Sequence, residues 1–256
     1  MDLQRELEEA QRIVRLAGEL ALRYSGRPME FEEKQDRSPV TEADRECERL
    51  IGSRLSELFP LDGIYGEEGS FRESRSGRRW LIDPIDGTRD FIRGTAFWAI
   101  QLALEVRGRV ELGVVHLPCR GELIHAVAGA GCFWNGERVH ASAVARLDEA
   151  ILLVSGFQAA WDVWPADKLR RLTQGCWTVR GYGACYDIVM IARGKADIWL
   201  SGNGMPWDYA PAHVIAAECG AAFLTRDGTG RIDALHAVIC APGLRRIVGD
   251  LLEMPV

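Results

Sequence analysis

The chain has 256 residues, 47% of them apolar and 27% charged, with a net charge of −6. That length and balance describe a globular protein with a sizeable core, built as one large domain or as two small ones sharing an interface. Mild acidity gains nothing from counterion release, which argues against nucleic acid as a general partner, and it sits awkwardly with a phosphate substrate unless cations invert the local field.

The N-terminus, MDLQRELEEAQR, is charged and lacks a signal peptide's apolar core. No apolar run reaches the length of a membrane span, so a cytoplasmic protein without a membrane partner is expected. Seven scattered cysteines with no C-x-x-C pattern fit reduced thiols in that compartment. Leu3, Leu7, Ala10, Val14, Ala17 and Ala21 form one apolar stripe and predict a first helix, ended by Gly26 and Pro28. The polar stretch EEKQDRSPVTEAD follows. Pro39 and Thr41 then open a second helix, with Ala43, Cys47, Leu50, Ile51, Leu55 and Leu58 on one face, stopped by Pro60 and Gly63.

Residues 70–79 are polar with Gly and Ser and read as a mobile loop. The apolar run Trp80-Leu81-Ile82 predicts a strand that ends at Asp83. Residues 97–106, 110–116 and 122–128 read as further strands, and Asn135-Gly136 marks a type I′ hairpin, so the middle of the chain is mostly antiparallel sheet. Helices and strands alternate beyond residue 145. Strands are expected at 151–155, 177–180, 196–200 and 237–241, and helices at 164–174, 184–193, 209–218 and 243–252. The division expected is an N-terminal α+β half, residues 1–144, and a C-terminal α/β half, residues 145–256.

Chemistry concentrates in Asp83-Pro84-Ile85-Asp86-Gly87-Thr88. A strand running into a turn at two carboxylates, then a helix beginning at Gly87-Thr88, places hard oxygen ligands beside free N–H groups. That combination suits Mg²⁺ and phosphate together. An Asp-Gly turn with Asp86 as a helix cap explains the same residues. The other acidic signals have ordinary readings of their own. Glu67-Glu68 fits a solvated loop, Asp208 before a helix fits an N-cap, and Thr41 with Asp44 fits a capping box. The five histidines show no pair at metal-ligand spacing.

Taken together, G-E-E at 66–68, WLIDPIDGTRDF at 80–91 and PWDYAPAHVIAAECGA at 206–221 resemble the inositol monophosphatase family over nearly the whole chain. That family also holds histidinol-phosphate phosphatases, archaeal-type fructose-1,6-bisphosphatases and phosphoadenosine-phosphate phosphatases. The resemblance implies an α/β fold, a layered α+β sandwich of alternating helix and sheet layers, and usually a homodimer. The aromatic run at Phe97, Trp98, Phe133 and Trp134 is a candidate for that interface.

It also implies a Mg²⁺-dependent phosphomonoesterase with two or three ions and a metal-activated water. Glu67, Asp83 and the Ile85 carbonyl would hold the first ion, and Asp83, Asp86 and Asp208 the second. Glu67 and the phosphate would share a third. Gly87 and Thr88 would bind phosphate through backbone N–H groups, Thr88 with Asp44 would deprotonate the water, and Glu68 would support the ligands from behind. The substrate implied is a small phosphorylated polyol or sugar.

Ser201 stands where inositol-specific members carry an acid, seven residues before Asp208, and is a candidate substrate contact with Asn203. Phe91 to Ala99 and Gly181 to Tyr186 resemble the histidinol-phosphate branch, although Ala184 occupies the place of that branch's Asp. Histidinol phosphate is therefore the second substrate reading, with fructose 1,6-bisphosphate and a nucleoside 3′,5′-bisphosphate behind it. A non-catalytic phospho-ligand-binding relative is the reading from another class.

Overall fold

The computed structural model describes residues 2–255. The first apolar stripe becomes helix α1 (Gln4–Leu22), which buries Ala10, Val14, Ala17 and Ala21 as its three- and four-residue spacing requires. Helix α2 (Glu42–Leu58) does the same with Ala43, Cys47, Ile51 and Leu55. It opens with the capping box: Thr41 Oγ1 accepts from the Asp44 N–H, and the Asp44 carboxylate accepts from the Thr41 N–H. Between the helices, β1 (Glu32–Glu33) and β2 (Pro39–Val40) pair antiparallel inside the polar stretch.

A sheet of eight strands follows: β3 (Gly63–Gly66), β4 (Phe71–Arg72), β5 (Arg78–Asp86), β6 (Ala99–Val106), β7 (Arg109–Leu117), β8 (Glu122–Val127), β9 (Gly131–Trp134) and β10 (Glu137–Val139). Its order is β10-β9-β8-β7-β6-β5-β3-β4, antiparallel except where β3 lies parallel to β5. Two sequence expectations need correction here. Residues 70–79 are not a free loop, because Phe71 and Arg72 pair back onto Tyr65 and Ile64, and β5 begins at Arg78. Nor does the strand stop at Asp83: β5 runs on to Asp86, with helix α3 (Thr88–Arg93) directly after it.

The second sheet holds β11 (Ile151–Ser155), β12 (Thr178–Arg180), β13 (Ile198–Ser201), β14 (Ala222–Leu224) and β15 (Ala237–Cys240), in the order β12-β11-β13-β15-β14. Helices α4 (Phe157–Val163), α5 (Ala166–Gly175), α6 (Ala184–Ala192), α7 (Pro206–Cys219) and α8 (Arg245–Leu252) complete the chain. The helix expected from residue 164 starts two residues later, and α4 precedes it. Trp164 is extended because Pro165 disfavours helical backbone in the residue before it. Helix α7 begins at Pro206, which occupies the first helical turn as proline prefers, so the expected start at Tyr209 was late.

The layers alternate helix, sheet, helix, sheet, helix. Helices α1 and α2 cover one face of the large sheet, and α6 and α7 fill the space between the sheets. Helices α4, α5 and α8 cover the outer face of the small sheet. Helix α7 is therefore buried nearly all round, and its sequence is apolar on every side. Trp98, one of the interface candidates, is fully buried edge-on against Phe91. Among the described residues no helix is long and apolar enough to cross a membrane.

The seating of α7 depends on Gly113 in β7. A Cβ there would stand 2.8 Å from Pro211 Cα and 2.8 Å from Val214 Cγ1. Gly113→Val should therefore lower unfolding free energy by about 2 kcal/mol or more by overpacking. It should also lower activity, since the same helix carries Asp208; chemical denaturation beside an activity assay checks both.

Candidate active site

Strand β5 pairs regularly with β6 as far as Asp83 opposite Gln101, then slips so that Asp86 lies opposite Ala99. Pro84 sits inside the slip, where its missing N–H costs no ladder bond. The bulge turns Asp83 and Asp86 toward one another, and the Ile85 N–H is drawn in to Asp83 Oδ1 at 3.1 Å. Gly87 follows with φ +86°, and a Cβ on it would meet the Phe97 carbonyl oxygen at 2.8 Å. Only glycine turns this tightly from β5 into α3.

The third aspartate arrives from the other sheet's side of the fold. Asp208 is not an N-cap. It sits in the first turn of α7 at the third helical position, and its Oδ2 accepts the Met205 N–H at 2.6 Å. Asp83, Asp86 and Asp208 each present one carboxylate oxygen within 4.8 Å of the others. Burial raises the pKa of all three. Asp83 is pushed well up by burial and then by Glu67, Asp86 and Asp208. Asp86 rises to about 8 through burial and then the charge of Asp208, and Asp208 to about 6 through burial and then Glu67. Asp86 Oδ2 is buried with no hydrogen-bond partner. Three converging hard oxygens, mutual repulsion and an orphaned buried lone pair fit a divalent cation.

Asp44 carries two duties at once. Its Oδ2 closes the capping box of α2, and its Oδ1 accepts from Thr88 Oγ1 at 3.2 Å. The Thr88 hydroxyl lies equally near the Ile85 carbonyl, at 3.2 Å. Asp44 is almost wholly buried, and burial raises its pKa.

Glu67 and Glu68 follow β3, and both are held by a residue that the sequence reading passed over. Lys34 Nζ bridges Glu67 Oε1 at 2.8 Å and Glu68 Oε1 at 2.6 Å. Burial lowers the lysine's pKa, but the two glutamates outweigh it and hold the ammonium above the usual lysine range. Glu68 is pushed up to about 7 by burial, against the pull of Lys34. Glu48 of α2 was also missed. Its carboxylate accepts the Glu68 N–H and the Ser70 N–H, each at 2.7 Å, and so fixes the turn that presents Glu67. Gly66 leaves room for it, since a Cβ there would stand 2.6 Å from that carboxylate. The available signal was a charged residue on the buried face of a helix; nothing local marked Lys34.

Glu67, Asp83, Ile85, Asp86, Gly87, Thr88, Ser201 and Asp208 all line one cavity of about 580 Å³. Ser201 is buried on its wall, where its Oγ donates to the Asn203 carbonyl at 3.0 Å and accepts from the Tyr209 hydroxyl at 2.9 Å. Glu68 lies behind the cavity, held by Lys34. Cys185, not singled out from the sequence, is buried, and burial and then the nearby Asp86 push its thiol pKa well up. Tyr186 is core, with its hydroxyl accepting from Arg120.

Acids that need a cation, set beside a helix start and a hydroxyl held by a buried carboxylate, make a metal-dependent hydrolase of the layered α/β type. Comparison narrows this: the sequence model of the inositol monophosphatase family matches residues 2–253, and the chain belongs to that family. It is a phosphatase, as its relatives are named. A histidinol-phosphatase of Chlorobaculum parvum is 40% identical over 248 residues, covering 93% of each chain. A fructose-1,6-bisphosphatase/inositol-1-monophosphatase of Thermotoga maritima is 34% identical over 211 residues, covering 82% of this chain and 80% of its own. The solved structure of a Thermotoga maritima IMPase superimposes with a TM-score of 0.88 at 29% identity, covering 97% of each chain.

The raised carboxyl pKa values set a pH dependence. These acids keep protons in the folded chain at pH values where the unfolded chain has released them, so folding stability falls as pH rises through that interval. In EDTA the melting temperature should therefore drop between about pH 5 and pH 8. A divalent cation should raise it most at the alkaline end; thermal melts across pH check this. Glu48→Ala should weaken divalent-cation binding by about 10–100-fold, as losing a ligand-orienting group does, and titration calorimetry measures it.

Proposed function

We propose that the chain is a Mg²⁺-dependent phosphomonoesterase that hydrolyses the phosphate ester of a small polyol, sugar or amino alcohol. The observation that carries this reading is the orphaned, buried Asp86 oxygen within the Asp83–Asp86–Asp208 cluster, next to the Thr88–Asp44 pair. Glu67, Asp83 and the Ile85 carbonyl would hold one ion and Asp83, Asp86 and Asp208 a second. A third would sit by Glu67. Bound there, Mg²⁺ supplies charge neutralisation at the phosphoryl group and makes water acidic enough to attack near neutral pH.

The chain's own residues do the rest. Thr88 Oγ1 gives its proton toward Asp44, which leaves its lone pairs free to take a proton from the attacking water. Asp44 is a stronger base for being buried. Gly87 and Thr88 offer main-chain N–H groups at the start of α3 to the phosphate. Glu68 and Glu48 hold Glu67 in place. We further propose a cytoplasmic homodimer in which residues 1–144 and 145–256 act as two halves meeting at the site. Exposed Phe157, Trp161 and Trp177 offer apolar surface to a second copy. Histidinol phosphate is the second substrate reading, favoured by the relative of that name at 40% identity.

Phosphate release from inositol 1-phosphate, histidinol phosphate, fructose 1,6-bisphosphate and adenosine 3′,5′-bisphosphate, with Mg²⁺ or with EDTA, tests the reading. Turnover of at least one, lost in EDTA, is expected. Asp86→Asn should lower it by about 10²-fold or more, the scale of losing one charge-stabilising group. A folded Asp86→Asn protein as active as the wild type would refute the assignment.

A further inference from the structure

We propose that Asp90 reads a positive charge on the leaving group, so that the site prefers phosphate esters of amino alcohols to those of neutral polyols. The proposal rests on the phosphomonoesterase reading above. Asp90 lies two residues beyond Thr88 in α3 and lines the same cavity, outside the cluster of Asp83, Asp86 and Asp208. Its Oδ1 accepts from Thr95 Oγ1 at 2.7 Å, which pins the carboxylate. Its Oδ2 faces Gly183 across the cavity wall: a Cβ built on Gly183 would stand 4.0 Å from it.

The charge of Asp90 is uncompensated among the described residues. Among the described residues no basic side chain forms an ion pair with it. The one basic side chain on the cavity wall, Arg89, turns its guanidinium to the Arg37 carbonyl at 2.9 Å. An uncompensated carboxylate beside a phosphate site repels the substrate's dianion. It becomes useful when the substrate brings its own cation, which also offsets part of that repulsion.

Tyr182 supplies the second half of such a subsite. Tyr182 lines the cavity, and its ring packs in one cluster with Phe97 and Tyr186, with centroids at 5.8 and 5.7 Å. The Tyr182 N–H donates to the buried Asp187, which fixes the loop. An aromatic face beside a carboxylate attracts an ammonium group and leaves a neutral hydroxyl indifferent. The ligand class is therefore a phosphate ester whose alcohol carries a protonated amine within a few bonds of the ester oxygen.

Steady-state kinetics on histidinol phosphate and on its analogue with hydroxyl in place of the amine test this, in wild type and in Asp90→Asn. Asparagine keeps an acceptor for Thr95, so the local fold survives. The wild type should favour the amine by roughly tenfold or more in kcat/KM, equivalent to about 1.4 kcal/mol. In Asp90→Asn the ratio should fall to near one, with the loss on the amine appearing in KM. An equal loss on both esters, which leaves the ratio intact, would mark Asp90 as merely structural and overturn the proposal. Wild-type turnover without charge preference would overturn it alone. No wild-type turnover of these two or of inositol 1-phosphate would overturn the phosphomonoesterase reading with it.

Discussion

Three carboxylates, one buried and two half-buried, brought within a few ångströms of one another repel each other strongly. Burial first, and then repulsion from neighbouring carboxylates, raises the pKa of Asp83, Asp86 and Asp208. Everything around them serves to hold the cluster together. A strand slip aims two of the acids, a glycine in left-handed backbone turns the chain away at once, and a helix buried between two sheets brings the third. A divalent ion bound there would relieve this repulsion and displace the retained protons.

Supporting groups bind main chain more than side chain. Glu48 takes two backbone N–H groups, Asp208 takes one from Met205 and Asp44 takes one from Thr41. Main-chain bonds fix direction without adding another titrating partner, so ligand geometry is insulated from the protonation of its neighbours. Lys34 is the exception. It supplies a positive charge to Glu67 and Glu68 from just beyond the short β1–β2 ladder.

Legibility from the sequence followed the range of the interaction. The stripes of α1 and α2 were readable because helix periodicity is local, and the capping box at Thr41 and Asp44 was readable for the same reason. The D-P-I-D-G-T segment marked the site, yet its bulge was invisible, since the slip is defined by which residues of β6 stand opposite. Asp44 looked like a choice between cap and catalytic group; the structure uses its two oxygens separately. Glu48 and Lys34 reach their partners over 20 to 34 positions of sequence. No local pattern encodes such pairs. The start of α5 was legible in Pro165, yet the helix was expected from Trp164, and α4 before it was not expected at all.

Gly113 works as a spacer of atomic thickness. With no side chain between β7 and Pro211, the depth of the α7 seat is set by backbone against backbone, and with it the reach of Asp208 toward Asp83. The geometry of the acidic cluster thus belongs to the packed frame, while Tyr182, Asn203 and Phe157 approach the cavity from loops and an exposed helix end. Such a division lets recognition of the alcohol be retooled on the rim while the hydrolytic distances stay constant. One frame can then serve esters as different as a sugar bisphosphate and an amino-alcohol phosphate.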